Sequence, residues 1–463
     1  MSTWASLPFR VRNSGSAPEG SSIALSLAVA AGLAILVRTT RNLLQSNPDP
    51  DRKYNLPPNV IPSPRLTQLP SLTPTEVATL PYPPDVLPGA RDVPTPYGTI
   101  HVFEWGPVDG EKVLLLHGIS TPCLALGSVA EELVRRGYRV MLFDWFGRGW
   151  SDAPVPGLGL GGTEFDVRLY MTQILLVLAS SPLPWTGNDG FHLVGYSLGG
   201  GVGAAFARWY PRMVKSLVVV AGGGLIRKDH VSWSSRILYS AGWLPEAFVR
   251  WLVRLRLTPK DSGNGKEKHP EEGGALMNET RMAAEIIRTR QDSKKKNEKH
   301  KNSDVNGGHG WDDSVLLASR PGYTVSSVMR WQLRHHEGFI PAFISSIRYA
   351  PIYEQTNDWC ELGRLLAERR EKKQRAVAVL EGSKWEDVGM EEEQELPGLR
   401  TGKILFVLGA DDPVIVKEEV LHDATAVLGE DGFDAVILNC GHELVMSNGA
   451  QVAAVMDGFW KRM

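Results

Sequence analysis

The sequence predicts a doubly wound, mostly parallel α/β sheet interrupted once by an inserted helical region. Three observations carry that expectation. Short aliphatic runs recur and close on glycine or a polar residue. They are Thr99–Trp105, Lys112–His117, Arg139–Asp144, Phe191–Tyr196 and Lys215–Val220, then Lys403–Leu408 and Asp434–Asn439. Runs that stay apolar for most of their length read as strands buried on both faces. Helical patterns alternate with them at Leu124–Arg136, Phe165–Leu178, Leu198–Trp209, Val416–Leu428 and Ala450–Trp460. Such alternation marks a parallel sheet covered by helices. Finally, the strand pattern stops between about Gly222 and Leu399.

The bulk properties suit an enzyme-sized globular body. The chain has 463 residues, 43% hydrophobic and 22% charged. Its 50 Lys and Arg against 52 Asp and Glu give a net charge of -2, without the basic surplus that nucleic-acid binding demands. Cys123, Cys360 and Cys440 lie far apart. Three such cysteines close no disulfide framework and fit no zinc spacing, and they favour a reducing compartment. Neither metal nor organic cofactor is implied.

The N-terminal region reads as separate from the sheet. Residues 1–20 form a tail with Arg10 and Arg12. Ser21–Val37 carries no charge and is followed by Arg38 and Arg41. At about 1.5 Å per residue this run spans most of a hydrocarbon core of roughly 30 Å. Residues 21–38 therefore read as a membrane anchor, which the flanking charges leave with a cytosolic body. A mitochondrial targeting segment is the alternative, because the first 18 residues contain Arg and Ser and no acid. Residues 39–96 are proline-dense, with Pro57-Pro58 and Pro83-Pro84, and read as a linker or surface wrap rather than core.

The sheet domain is then expected over residues 97–222 and 399–463. Residues 223–398 between them read as a helical lid. Its first part, Ser232–Leu257, interleaves Trp233, Trp243, Phe248 and Trp251 with Arg236, Arg250, Arg254 and Arg256. Those aromatic rings fit three roles: packing the lid on the core, lining an acyl pocket, or dipping into a membrane interface. Residues from about 260 to 313 are too polar to build a core and read as a disordered charged loop. Tyr323–Tyr353 is helical again, and Arg334, His335, His336 and Glu337 within it fit either a group reaching the pocket or, preferred, a solvated face. Arg364–Glu395 is strongly charged.

The chemistry sits at strand ends. Gly195-Tyr196-Ser197-Leu198-Gly199 follows an apolar strand and opens a helix. Small residues there let the chain turn sharply and project the Ser197 hydroxyl above the sheet. The Leu198 N–H at the helix start then faces any oxyanion formed on Ser197. Strand Lys112–Leu116 ends in His117-Gly118-Ile119, where the Ile119 N–H is the expected second donor and His117 a structural residue. A nucleophilic serine needs a base, and the base needs an orienting acid. Asp411 and Asp412 follow the strand Lys403–Leu408, and His442 follows the last one. The order Ser, acid, His points to this acidic pair and to His442. The sequence does not fully separate the two adjacent acids, and Asp412 is preferred, with Asp411 as a loop or capping residue.

These segments resemble the α/β-hydrolase superfamily. The likeness rests on His117-Gly118, the Asp144–Asp152 loop, Gly195–Gly200, Gly409–Pro413 and Gly441-His442. It covers about Thr99–Leu225 and Gly402–Met463, and is greatest to the branch whose oxyanion turn is His-Gly with one glycine. In that branch the acid lies three residues after the glycine, which maps to Asp412, and the Asp144–Asp152 loop is structural. Ser197 stands where dehalogenases and epoxide hydrolases carry an aspartate. The HGGG lipase turn and the H-x-x-x-x-D acyltransferase pattern are absent. The resemblance implies a serine hydrolase acting on a carboxylic ester, with a lipid-like ester favoured by the anchor. Acyl transfer and cleavage of C–C bonds, lactones or peptides use the same three residues. A non-catalytic anchored binding protein on the same fold is the competing class. Oligomeric state is left open.

Overall fold

A computed structural model describes residues 54–157, 162–187, 190–231, 233–259, 311–382 and 398–463. The expected anchor at 21–38 and most of the charged loop lie outside these residues. Among the described residues no helix is long and apolar enough to cross a membrane.

Among the described residues ten strands form: β1 (Val60–Ile61), β2 (Ala90–Thr95), β3 (Gly98–Trp105), β4 (Lys112–Leu116), β5 (Arg139–Phe143), β6 (Ala153–Pro154), β7 (Phe191–Tyr196), β8 (Val214–Val220), β9 (Ile404–Gly409) and β10 (Phe433–Leu438). Eight of them make one mixed sheet in the order β10-β9-β8-β7-β4-β5-β3-β2. From β10 to β5 every pairing is parallel, and β3 and β2 are antiparallel. The central strands are buried along almost their whole length, as their unbroken aliphatic runs require.

Helices cover both faces: α1 (Gly127–Arg135), α2 (Val167–Ala179), α3 (Leu198–Trp209), then α4 (Trp233–Tyr239), α5 (Glu246–Leu257), α6 (Val325–His335), α7 (Phe339–Tyr349), α8 (Thr356–Gly382), and finally α9 (Lys417–Leu428) and α10 (Gly449–Trp460). The fold is that of an α/β hydrolase. The insertion between β8 and β9 supplies α4 to α8.

Two domain boundaries expected from the sequence need correction. The first is the 39–96 linker, whose described part belongs to the core. β2 is an edge strand of the main sheet, and β1 pairs with β6. Pro94 fits in β2 because an edge strand needs no ladder donor on its open side. Tyr82 is fully buried and its ring meets Phe103, Trp150 and Trp331 at 6.4, 6.1 and 6.0 Å. Proline density hid this, because prolines mark the turns between short anchoring contacts as readily as they mark a spacer.

The second correction concerns α8, which the sequence assigns to the lid. Trp359, Leu362 and Leu366 fall on one helical face and are buried against the sheet domain. The Trp359 ring stacks on Phe406 of β9 at 5.8 Å. The high charge of this helix lies on its outer face, and a sliding view of composition averages the two faces together.

Candidate active site

Because β4, β7, β9 and β10 run parallel, their C-terminal ends meet along one edge of the sheet. Chain order reverses direction between β4 and β7, the point in an open α/β sheet where ligands bind. Ser197, Ile119, Asp412 and His442 lie on loops leaving these four ends, and Leu198 opens the helix that follows β7.

Ser197 joins β7 to α3 with φ 52° and ψ -119°, a left-handed conformation that side chains rarely adopt. The turn is possible because its neighbours are small. A Cβ on Gly195 would run into the Gly199 carbonyl, and one on Gly199 into the Leu116 carbonyl. The Ser197 N–H donates to the Val220 carbonyl at 3.1 Å, and its own carbonyl accepts from Gly200 and Gly223. Strain of this kind persists only where the surroundings over-determine it. Ser197 itself is half-buried.

The Ser197 Oγ lies 3.2 Å from His442 Nε2, and His442 Nδ1 lies 2.8 Å from Asp412 Oδ2. A carboxylate only accepts, so Nδ1–H donates to Asp412 and Nε2 is left to accept from the serine hydroxyl. The other oxygen of Asp412 accepts from the Val414 and Ile415 amides at 2.8 and 2.9 Å. The Asp412 side chain is fully shielded from solvent, whereas Asp411 is exposed. Of the two adjacent acids, then, Asp412 meets the imidazole.

The turn after β4 closes over the serine. A Cβ on Gly118 would sit 3.3 Å from the Ser197 Cβ, so the chain passes close beside the serine just before Ile119. His117 fixes this turn from beneath. Its Nε2 accepts from the Trp145 N–H at 2.9 Å, and its carbonyl accepts from the Trp145 indole at 2.9 Å. Burial pushes the His117 imidazole down to about 3, so it is neutral at physiological pH. The buried Arg148 donates to the Ile119 carbonyl at 3.0 Å, to Phe146 O at 3.1 Å and to Ser346 Oγ at 2.8 Å. One guanidinium thus ties the turn to the Asp144–Asp152 loop and to α7 of the insertion. Leu198 opens α3, and the N–H of a first helical residue has no partner inside its own helix.

The loop from Asp144 to Asp152 is the polar hub beneath this edge. Asp144 accepts from Tyr82 Oη at 3.0 Å and from the Cys123 and Trp150 amides at 2.9 Å each. Burial raises its carboxyl from the ordinary value. Asp152 accepts from Ser63 and Thr99 amides at 2.8 and 2.9 Å.

Four residues escape a sequence reading. Trp311, expected to sit in the charged loop, is buried and stacks on the His442 imidazole with centroids 5.7 Å apart and planes 29° apart. Tyr196 flanks the same imidazole at 5.3 Å, and its hydroxyl donates to the His442 carbonyl at 2.9 Å. His336, expected on a solvated face, is buried, and its Nε2–H donates to the Ser151 carbonyl at 2.9 Å. Burial pushes its imidazole down to about 4. From the same insertion Gln332 accepts from Gly149 N at 2.8 Å and donates to Ser120 O at 3.0 Å. For Tyr196 the signal was the position next to the elbow. For Trp311 the lone signal was a large ring at the end of a polar tract.

Comparison with known proteins agrees with this architecture. Residues 112–261 match the family described as alpha/beta hydrolase fold. An uncharacterized protein of Mycobacterium tuberculosis is 30% identical over 150 residues, which is 32% of this chain and 39% of that protein. A serine hydrolase-like protein of Danio rerio is 28% identical over 134 residues, 29% of this chain and 38% of that protein. The chain thus spans about two fifths of the length of these curated relatives. The naproxen esterase of Bacillus subtilis superposes with a TM-score of 0.43 at 15% identity, covering 83% of this chain and 95% of that one. Its sheet order, its serine turn at the end of β7 and the family match over residues 112–261 give the chain the α/β-hydrolase fold.

Proposed function

We propose that this hydrolase cleaves a carboxylic ester through a covalent acyl-serine intermediate on Ser197. The observation that carries the reading is the unbroken hydrogen-bonded chain from Ser197 through His442 to the buried Asp412. In the first half-reaction His442 Nε2 takes the Ser197 proton as Oγ attacks the ester carbonyl carbon. The Leu198 and Ile119 amides receive the negative charge that develops on the carbonyl oxygen. The tetrahedral adduct collapses, the C–O bond to the alcohol breaks, and His442 returns its proton to the departing alkoxide. In the second half, His442 takes a proton from water, hydroxide adds to the acyl carbon, and Ser197 leaves with the proton. Asp412 holds the imidazole in the required tautomer and stabilises its charged form.

The described parts of the insertion, residues 223–231, 233–259 and 311–355, act as a lid in this reading, because Trp311 forms one wall around the base. Its apolar ring favours an ester with an apolar acyl or alcohol part, lipid-like esters included. An intact Ser, His and Asp set supports catalysis over a binding role alone.

The test is turnover of an ester panel of graded chain length by the full chain and by Ser197→Ala. Loss of three or more orders of magnitude in kcat for the variant is expected. Equal turnover by both proteins would remove Ser197 from the chemistry.

A further inference from the structure

The helical hairpin α4–α5 turns its large aromatic rings outward. Five of the eight exposed large hydrophobic side chains among the described residues fall between 233 and 251: Trp233, Ile237, Trp243, Phe248 and Trp251. Trp233 and Trp243 expose more than three quarters of their surface, at 76% and 78%. None of the three roles expected for a packed or pocket-lining ring is compatible with that exposure except contact with an outside surface.

The hairpin is nevertheless firmly seated on its other side. Val249, Val253 and Leu257 recur every four residues on α5 and are buried, as are Leu238 and Tyr239 on α4. Both helices pack on α7. Arg348 of α7 donates to Glu246 at 2.6 Å and to the Tyr239 carbonyl at 2.9 Å, which pins the start of α5 and the end of α4 together. The outward rings are therefore held on a rigid platform. Phe248 and Trp251 even stack on each other, at 5.7 Å and 30°.

The charge beside these rings has one sign. Residues 233–257 contain Arg236, Arg250, Arg254 and Arg256 and a single acid, Glu246, which faces inward to Arg348. Arg250 and Arg254 are exposed on α5 next to the Phe248–Trp251 ridge. Tryptophan beside arginine, on one face of a seated amphipathic helix, suits the interface of a bilayer with anionic headgroups. Indole rings settle at the headgroup level, and each arginine near such a surface adds attraction. The same chain carries the uncharged 17-residue apolar stretch Ser21–Val37. Stable membrane attachment generally takes two signals, and the hairpin supplies one that does not depend on that stretch.

We propose that the outer face of the α4–α5 hairpin docks on an anionic lipid bilayer, inserting Trp233, Trp243, Phe248 and Trp251 at the headgroup level while Arg250 and Arg254 meet lipid phosphates and carboxylates. The proposal stands apart from the ester-cleavage reading, since no residue of the hairpin takes part in that chemistry.

The experiment uses the full chain and vesicles of brominated phosphatidylcholine, with and without phosphatidylserine. Bromine quenches tryptophan only where the ring enters the bilayer. Protein recovered on the vesicles is compared with the variant W233F/W243F/W251F, which keeps an apolar face and lacks the three reporters. The expected result is strong quenching in the natural chain that disappears in this variant, so attachment through another segment does not mask the reading. In R250Q/R254Q the vesicle concentration for half-maximal quenching is expected to rise about thirtyfold. Equal quenching in the natural chain and the Trp→Phe variant would show that the rings stay in water and would overturn the proposal. Quenching just as strong on phosphatidylcholine alone would overturn its anionic requirement. A vesicle-free dimer that is lost in W233S/W243S/W251S would assign the face to a second copy and overturn it as well. Turnover of a short water-soluble ester by these variants separates the outcome from any failure at Ser197.

Discussion

The buried tryptophans Trp145, Trp150 and Trp331 and those of the α4–α5 hairpin are the same residue type under opposite conditions. Trp145 and Trp150 are fully buried, and Trp331 nearly so. Each satisfies its indole N–H on an oxygen: His117 O, Tyr82 O and Gln68 Oε1, at 2.9, 3.1 and 2.9 Å. Trp233, Trp243 and Trp251 lie in water on a seated helical hairpin. A buried ring contributes packing and must also find a partner for its polar edge. An exposed ring contributes little to folding. Trp311 stands between the two groups, buried yet applied to the imidazole of the site rather than to the core.

The largest expected difference is in stability. Trp150→Ala empties a site packed against Trp331 at 4.7 Å and leaves the Tyr82 carbonyl without its donor. It should cost about 3–5 kcal/mol, read from chemical denaturation. A cost below 1 kcal/mol would mean the loop hub tolerates a void and that the contrast with the hairpin is weak.

Acid should separate the two regions next. Burial holds His117 and His336 near 3 and 4, below the unfolded value of about 6.5. The unfolded chain therefore takes up more protons than the folded chain as pH falls below about 6.5. Stability from these groups is whole above that pH and declines toward pH 4, by about 1.4 kcal/mol per pH unit for each. His336→Gln should flatten the decline in thermal unfolding between pH 6.5 and 4.5. An unchanged slope would mean that other groups govern acid unfolding. No comparable effect is expected from the outer face of the hairpin, whose exposed charges are arginines.

Trp311→Ala should lower kcat/KM about tenfold, because the imidazole loses one of the two rings that hold its plane. The loss should fall mainly on kcat. A fall confined to KM would make Trp311 a substrate contact instead. The smallest effect belongs to Trp243→Ser, expected to change stability by no more than about 0.5 kcal/mol. A larger loss would mean that the hairpin's outer face packs on something within the chain.

The parallel sheet and the serine turn were legible because each depends on local pattern. Aliphatic runs mark buried strands, and a small-residue turn after a strand marks the elbow at Ser197. What was hidden depends on contacts across long sequence separations. Tyr82 belongs to the core because Asp144, 62 residues later, needs a donor. His336 reads as polar until the Ser151 carbonyl, 185 residues away, is seen beside it. Trp359, Leu362 and Leu366 form a buried face on a helix whose composition is dominated by its charged outer side. The same limit left three roles open for the hairpin aromatics, since amphipathic spacing reveals a face without saying what it meets.

The central claim is that Ser197, activated by His442, forms the covalent intermediate. The most direct measurement is labelling of the full chain with a fluorophosphonate, followed by peptide mass spectrometry to locate the phosphonate. The account expects a single modified residue, Ser197, with labelling at least a hundredfold slower in His442→Ala. Phosphonylation at another residue, or labelling of Ser197 at an undiminished rate without His442, would contradict it.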